Sequence, residues 1–487
     1  MKQKLAMIGV DAADLDFVRA HLGSLPTFGR VIENGAARRI ESTAGLLTGS
    51  VWPSFYTASS PGEHGIYHHL QWDAGRMRLR RVSPEWLDCR PFWRDMEQRG
   101  LRVTALDVPM TLAPRLERGI EVNNWGSHDQ LGPCAATDPE LARQIRRRFG
   151  SHPMGAEIPV SKSPDELRRI RASLVEGARR KGELARWLLG AREWDFVLTV
   201  FGETHRGGHI LWPEPGASPE ALLEVYRAVD HAIGRLLHAL DLETTTVILF
   251  ALHGMGSNTS QEHFVPRLLD RINARWSGSA PSRGQAPQQP GQRSLMRTLR
   301  EKIPARAQNA IAQAVPVKVR DWVVIRQISS GHNWARTPGF PLLADLNGYL
   351  RLNLRGREQQ GMLEAGSDQA KRYLDWLAEA LRGFRVAPTG QPLAREIRLA
   401  QDAFPGRRLD HLPDVIIEWQ PEAPASEIVS EKLGVLRSTL ATGRGGNHRP
   451  QGFCAILGWD EKRGPRPVPT HITDLAGIAA RLSRTQY

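Results

Sequence analysis

Three short, nearly unbroken apolar runs constrain this chain most, because each stops at residues able to do chemistry. Residues 4–10 end at Asp11, residues 194–201 lead into Glu203-Thr204-His205-Arg206-Gly207-Gly208-His209, and residues 244–251 end at Leu252-His253. Apolar runs of this length read as strands buried on both faces of a parallel sheet. Helical patterns lie between and around them: Asp14 to about Asn34, interrupted near Gly23 and Pro26, then 90–100, 138–149, a long basic one at roughly 164–191, and 218–240. The alternation predicts an α/β fold. Such sheets place ligands beyond the carboxyl ends of their strands, where Asp11, His205 and His253 stand.

Two histidines four apart can hold one metal ion, and the Gly207-Gly208 pair between His205 and His209 predicts a turn there rather than a rigid helix. The spacing alone is weak. With 16 His in 487 residues, chance supplies about half of one such pair. Partners must therefore come from elsewhere in the chain. His253 is one; His448 is another, in the glycine-rich stretch Gly443 to Gly452, expected to be a loop before a strand at 453–457. Thr48 opens a predicted helix, since Pro53 is tolerated only near a helix start. A hydroxyl there faces free backbone N–H groups, as an anion site or an ordinary N-cap. Ser50 and Ser54 are local alternatives. Asn123 to Asp129 is expected in a loop.

The net charge of +13 is uneven. Residues 276–327 hold nine Lys/Arg against Glu301 and Asp321. Within them, 277–293 is rich in Ser, Gly, Pro and Gln and reads as a linker, while Leu295, Leu299 and Ile303 share a helical face up to Pro304. The expectation is a catalytic core over 1–275 and 336–487, split by a basic cap insert at 276–335. Such an insert could dock on an anionic membrane surface. Nucleic acid is disfavoured, because the basic segment offers only Trp276 and Trp322 for stacking. No run is long enough to span a bilayer, and the start reads as a first strand rather than a signal segment. Three scattered cysteines, Cys89, Cys134 and Cys454, fit a reducing cytoplasm.

Taken together, Asp11, Thr48, His205, His209, His253 and His448 resemble the alkaline phosphatase superfamily, in its type I phosphodiesterase and nucleotide pyrophosphatase branch. Asp11 matches that branch's Asp after the first strand. Thr48 aligns with its Thr or Ser nucleophile, upstream of Pro61-Gly62-Glu63-His64-Gly65-Ile66. His205 to His209 matches Asp-x-x-x-His, His253-Gly254 matches Asp-His-Gly, and Gly446-Asn447-His448 matches a late Gly-x-His. Arg336-Thr337 and Asn353 to Glu358 resemble a stretch found in bacterial relatives. The likeness implies an alkaline-phosphatase-like core, a mixed, mostly parallel sheet sandwiched by helices. It implies a metal-dependent hydrolase of phosphate esters, with phosphodiester or pyrophosphate favoured over monoester. Its partner would be a small-molecule, glycan or nucleotide phosphate ester. One or two Zn²⁺ would serve the reaction, His205, His209 and His448 holding one and Asp11, Thr48 and His253 contributing to the second.

Two departures stand out. His205 replaces a carboxylate, giving a three-imidazole site suited to zinc. Leu252 removes another carboxylate, leaving the second site short of a ligand unless Asp129 or Glu203 substitutes. Asn124, His128, Asp129 and Arg206 are candidate substrate contacts, and Arg444 and Arg449 candidate phosphate contacts, whereas His64 reads as fixing a turn. A sulfatase is disfavoured, because no Cys/Ser-x-Pro-x-Arg run surrounds Thr48, Cys89, Cys134 or Cys454, and the one that occurs, Ser279 to Arg283, lies in the linker stretch. A phosphoryl transferase or mutase, or a non-catalytic anion-binding relative, are the remaining alternatives.

Overall fold

The structure, a computed structural model, describes residues 4–84, 90–155, 157, 162–278, 325, 332–343, 345–440, 442–459 and 464–484. Most of the expected insert at 276–335 therefore lies outside the described residues, including the helical face of Leu295, Leu299 and Ile303. The described residues of its start extend the helix Val265–Ser277, where Trp276 packs on Tyr373.

An eight-stranded sheet forms the centre, in the order Arg38–Glu41, Gln451–Leu457, Thr245–Ala251, Lys4–Val10, Phe196–Phe201, Val103–Leu106, Ile120–Asn123, Ala135–Ala136. The five strands from Thr245–Ala251 to Ile120–Asn123 run parallel, and antiparallel pairings close both edges. Side chains alternate between the faces of each strand, so Lys4–Val10 serves two cores. Ala6, Ile8 and Val10 pack toward the helices Pro26–Asn34, Pro164–Ala191 and Glu220–Leu237. Leu5 and Met7 pack toward Val51–Thr57, Phe92–Gln98 and Asp474–Arg484. Burial on both faces explains why these strands read as continuous apolar runs.

The longest helix, Pro164–Ala191, begins at a capping box. The Ser163 hydroxyl accepts from the Glu166 backbone N–H, and the Glu166 carboxylate accepts from the Ser163 N–H at 2.8 Å. Pro164, which has no N–H to satisfy, occupies the first helical position. Residues 339–437 build two smaller antiparallel sheets. Four strands, Gly339–Pro341, Gly348–Leu352, Val415–Trp419 and Ala394–Leu399, form one; Arg385–Val386, Glu427–Ser430 and Gly434–Arg437 form the other. Leu350, Leu377, Val415 and Ile428 share a core there with Leu268 and Ile272 of Val265–Ser277. The chain then returns to the central sheet through Gln451–Leu457. Among the described residues no helix is long and apolar enough to cross a membrane.

Candidate metal centre

The parallel strands deliver most of the polar side chains gathered at their carboxyl ends. Asp11 follows Lys4–Val10, His253 follows Thr245–Ala251, and Phe196–Phe201 leads into the residues that carry His205 and His209. The loop after Ile120–Asn123 carries His128. All five are buried or nearly so. The sixth, His448, arrives from Gly446–Arg449, more than two hundred residues later.

Two local expectations are corrected here. Glu203–Leu211 is an α-helix, not a turn, and its i, i+4 spacing puts His205 and His209 on one face. Their Nε2 atoms are 3.1 Å apart. The glycines between them serve packing instead. A Cβ on Gly208 would lie 2.7 Å from Met255 Cγ, and one on Gly446 would lie 2.2 Å from the Gly208 carbonyl oxygen. Residues Gly446–Arg449, expected to be loop, are a strand paired antiparallel with Gly254–Ser257, with Met255 opposite His448. That two-stranded ribbon lies directly on the helix, which small residues alone permit.

Hydrogen bonds set where the imidazole lone pairs point. His209 Nδ1 lies 3.0 Å from the Gly446 carbonyl oxygen, which can only accept. The proton therefore sits on Nδ1, and the Nε2 lone pair faces His205. His205, His209 and His448 each offer a ligand atom within 4.8 Å of the others, and so do Asp11, His205 and His253. His205 belongs to both groups. Asp11 Oδ1 accepts from Trp52 Nε1 at 3.0 Å and lies 3.3 Å from His253 Nε2. Asp11 Oδ2 lies 3.0 Å from His128 Nδ1 and 3.2 Å from His205 Nδ1. Yet Asp11 Oδ2, His128 Nδ1 and His205 Nδ1 are buried without a properly formed hydrogen bond. Buried polar atoms rarely stay so. Imidazoles and one carboxylate, close-set and dry, are a donor set that could hold a metal ion.

The electrostatics agree with a cation site. Burial would raise the Asp11 carboxyl, but His205 and His128 beside it hold it well below the usual carboxylate range. Burial pushes His209 and His448 well below the usual imidazole range, aided by Arg444 for His209 and by His253 and His209 for His448. Both rings are neutral and able to coordinate. Burial works against a charged His128, but the Asp11 carboxylate outweighs it and raises the ring to about 9.

The other candidates fall as follows. Thr48 begins the helical segment Thr48–Ser50 that continues as Val51–Thr57. Its backbone N–H and its hydroxyl meet the hydroxyl of Tyr349, which itself donates to the Leu46 carbonyl oxygen at 2.8 Å. Ser50 is occupied by Thr43 Oγ1 and the Leu47 carbonyl oxygen. Ser54 sits 3.0 Å from His64 Nε2, but His64 Nδ1 accepts from the Ile66 N–H, so in the neutral ring Nε2 holds the proton and cannot serve as a base. Asn124 adopts a left-handed φ of 62° and donates weakly to Pro133 O at 3.4 Å. Asp129 lies 3.1 Å from His69 Nδ1 and 3.9 Å from His128 Nε2. Glu203 faces His152 Nε2 at 3.1 Å, and Arg206 is engaged by His152 Nδ1 and Gly155 O. Arg444 is bound by Glu157 and Asp345, so its charge is neutralised rather than offered to phosphate. Arg449 donates to the His448 and Ser257 carbonyl oxygens. Sequence reasoning missed Trp52 and Tyr349. Trp52 lies four residues after Thr48, a spacing that could have flagged it; nothing local marks Tyr349. A cleft walled by Thr43, Leu46, Thr259, Trp419 and Arg449 reaches His448.

Comparison with known proteins bears on the family and the fold. The sequence model of the family described as type I phosphodiesterase / nucleotide pyrophosphatase matches residues 5–425. The fold is similar to that of phosphonoacetate hydrolase from Sinorhizobium meliloti 1021 solved with phosphonoformate, at 13% identity and a TM-score of 0.56 over 99% of this chain and 96% of that one. It is similar to a mutant of the alkaline phosphatase PafA, at 14% identity and a TM-score of 0.54 over 99% and 96% of the two chains. Human ectonucleotide pyrophosphatase / phosphodiesterase 5 aligns at 12% identity and a TM-score of 0.50 over 99% and 95%. At such identities the likeness is one of fold. No curated protein sequence matches the chain.

Proposed function

The chain belongs to the type I phosphodiesterase / nucleotide pyrophosphatase family, and from that premise we propose that it hydrolyses phosphodiesters or pyrophosphates with Thr48 as nucleophile and zinc as cofactor. The observation that carries the cofactor is the convergence of His205, His209 and His448 within 4.8 Å, with the His209 proton fixed on the far side of its ring. A bound Zn²⁺ supplies charge that neutralises phosphate oxygens and makes a nearby hydroxyl easier to deprotonate.

The remaining work belongs to the protein's own groups. Thr48 Oγ1 attacks phosphorus in line with the leaving oxygen; its P–O bond forms as the bond to the leaving group breaks, the Thr48 proton passes to solvent or to the departing oxygen, and water then cleaves the phospho-threonine ester, restoring the hydroxyl and releasing the phosphate product. Tyr349 holds the nucleophile. Burial pushes its phenol upward, so it stays protonated and its oxygen can receive the Thr48 N–H and hydroxyl without competing for phosphorus. Trp52, one helical turn on, clamps Asp11 to the same segment. Positioning of this kind converts binding into rate.

The choice of substrate class rests on the family, whose described activities are phosphodiesterase and pyrophosphatase. Side-by-side turnover of bis-p-nitrophenyl phosphate, a nucleoside triphosphate and p-nitrophenyl phosphate tests it. Faster hydrolysis of the first two is expected. A clear preference for the monoester overturns the diester and pyrophosphate assignment.

A further inference from the structure

We infer that His128 is a ligand of a second divalent cation, standing in for the carboxylate that Leu252 does not supply. The inference rests on the proposed function, in which a first cation is held by His205, His209 and His448. A neutral imidazole has one lone pair. His205 Nε2 faces His209 Nε2 at 3.1 Å, so its lone pair belongs to the first position, and its Nδ1 carries a proton toward Asp11. The second position is then left with Asp11 and His253 Nε2, one protein donor fewer than a zinc site ordinarily has.

His128 supplies it. Its Nδ1 is 3.0 Å from Asp11 Oδ2, and its ring lies flat on His205 with centroids 3.7 Å apart at 19°. Both Nδ1 and Oδ2 are buried without a properly formed hydrogen bond. A cation between them satisfies both at once. Behind the ring, His128 Nε2 lies 3.9 Å from Asp129 Oδ2, and Asp129 Oδ1 lies 3.1 Å from His69 Nδ1. At 3.9 Å this is a charge contact rather than a hydrogen bond; the carboxylate's charge favours a proton on Nε2, the nitrogen away from Asp11, and leaves Nδ1 to the cation. The alternatives fit less well. Asp129 sits on the wrong edge of His128 to replace it, and Glu203 is spent on His152.

The test uses the full chain, stripped of metal and reloaded with Zn²⁺, with ions counted per chain and located by zinc-edge anomalous diffraction. The expected result is two ions, the second bonded to Asp11, His253 and a His128 ring nitrogen at about 2.0–2.1 Å. His128→Ala should retain one ion and bind the second at least about 100-fold more weakly. A second ion that leaves His128 uncoordinated, a wild type that never holds more than one ion, or two ions of unchanged affinity in His128→Ala overturns the inference. If that variant does not fold, the wild-type diffraction alone decides. None of those outcomes removes the first ion or Thr48-dependent turnover; a chain that binds no zinc and cleaves no phosphate ester would instead overturn the hydrolase reading.

Discussion

His209 Nδ1 donates to the carbonyl oxygen of Gly446 across 3.0 Å, although 237 residues separate them. This one bond orients a candidate ligand and ties the helix Glu203–Leu211 to the strand that brings His448. The contact depends on small residues, since a Cβ on Gly208 would meet Met255 Cγ at 2.7 Å. Gly208→Ala should therefore keep the helix but shift it from the ribbon. Zinc affinity, measured by competition with a chromophoric chelator, is expected to fall by about 10–100-fold while far-UV circular dichroism is unchanged.

Lys181 and Asp107 form an ion pair with both side chains fully buried. Asp107 also accepts from the Trp125 and Gly126 N–H groups at 2.8 and 2.7 Å, anchoring the loop that leads to His128. Lys181→Met leaves that carboxylate buried without its counter-charge. Urea unfolding should show a loss of about 3–5 kcal/mol.

In the proposed mechanism Tyr349 positions Thr48 and does not act on substrate. Tyr349→Phe removes the hydroxyl that meets Thr48 and spans to Leu46 O. The expected outcome is a fall in kcat of about 10-fold or more with KM nearly constant. A change confined to KM would contradict the positioning role.

Glu262 offers a pH signature away from the metal ligands. Burial, with the Asp345 carboxylate beside it, pushes its carboxyl from 4.5 up to about 8. The folded chain then keeps a proton that the unfolded chain releases, so this group's contribution to stability falls as pH rises from 4.5 and levels off above about 8. Glu262→Gln does not titrate. Its stability relative to wild type should rise between about pH 5 and about pH 9 in paired urea titrations.

Much of the central sheet was legible because strands buried on both faces cannot hide their apolar character. Lys4–Val10, Phe196–Phe201 and Thr245–Ala251 all appear where the runs predicted, with Asp11 and His253 just past their ends. The capped helix Pro164–Ala191 was equally plain. What misled was glycine. Gly207-Gly208 signalled a turn and Gly446 a loop, whereas the bare backbone of Gly208 and Gly446 lets a helix and a ribbon touch, a tertiary demand that no local pattern encodes. Arg444 reads as a candidate phosphate contact because the carboxylates that engage it, Glu157 and Asp345, lie far off in sequence. His128 carries no telling spacing to the candidate ligands, and only the folded loop brings it to Asp11.

The proposed reaction requires Thr48 to act beside a cation, and a zinc titration of turnover tests that most directly. Metal-stripped wild type and Thr48→Ala are each titrated with Zn²⁺ while cleavage of bis-p-nitrophenyl phosphate is followed. Wild-type activity should rise from baseline with the added metal, and Thr48→Ala should bind the same zinc yet stay at least about 1,000-fold slower. Turnover that ignores zinc removal, or a Thr48→Ala chain as active as wild type, would contradict it.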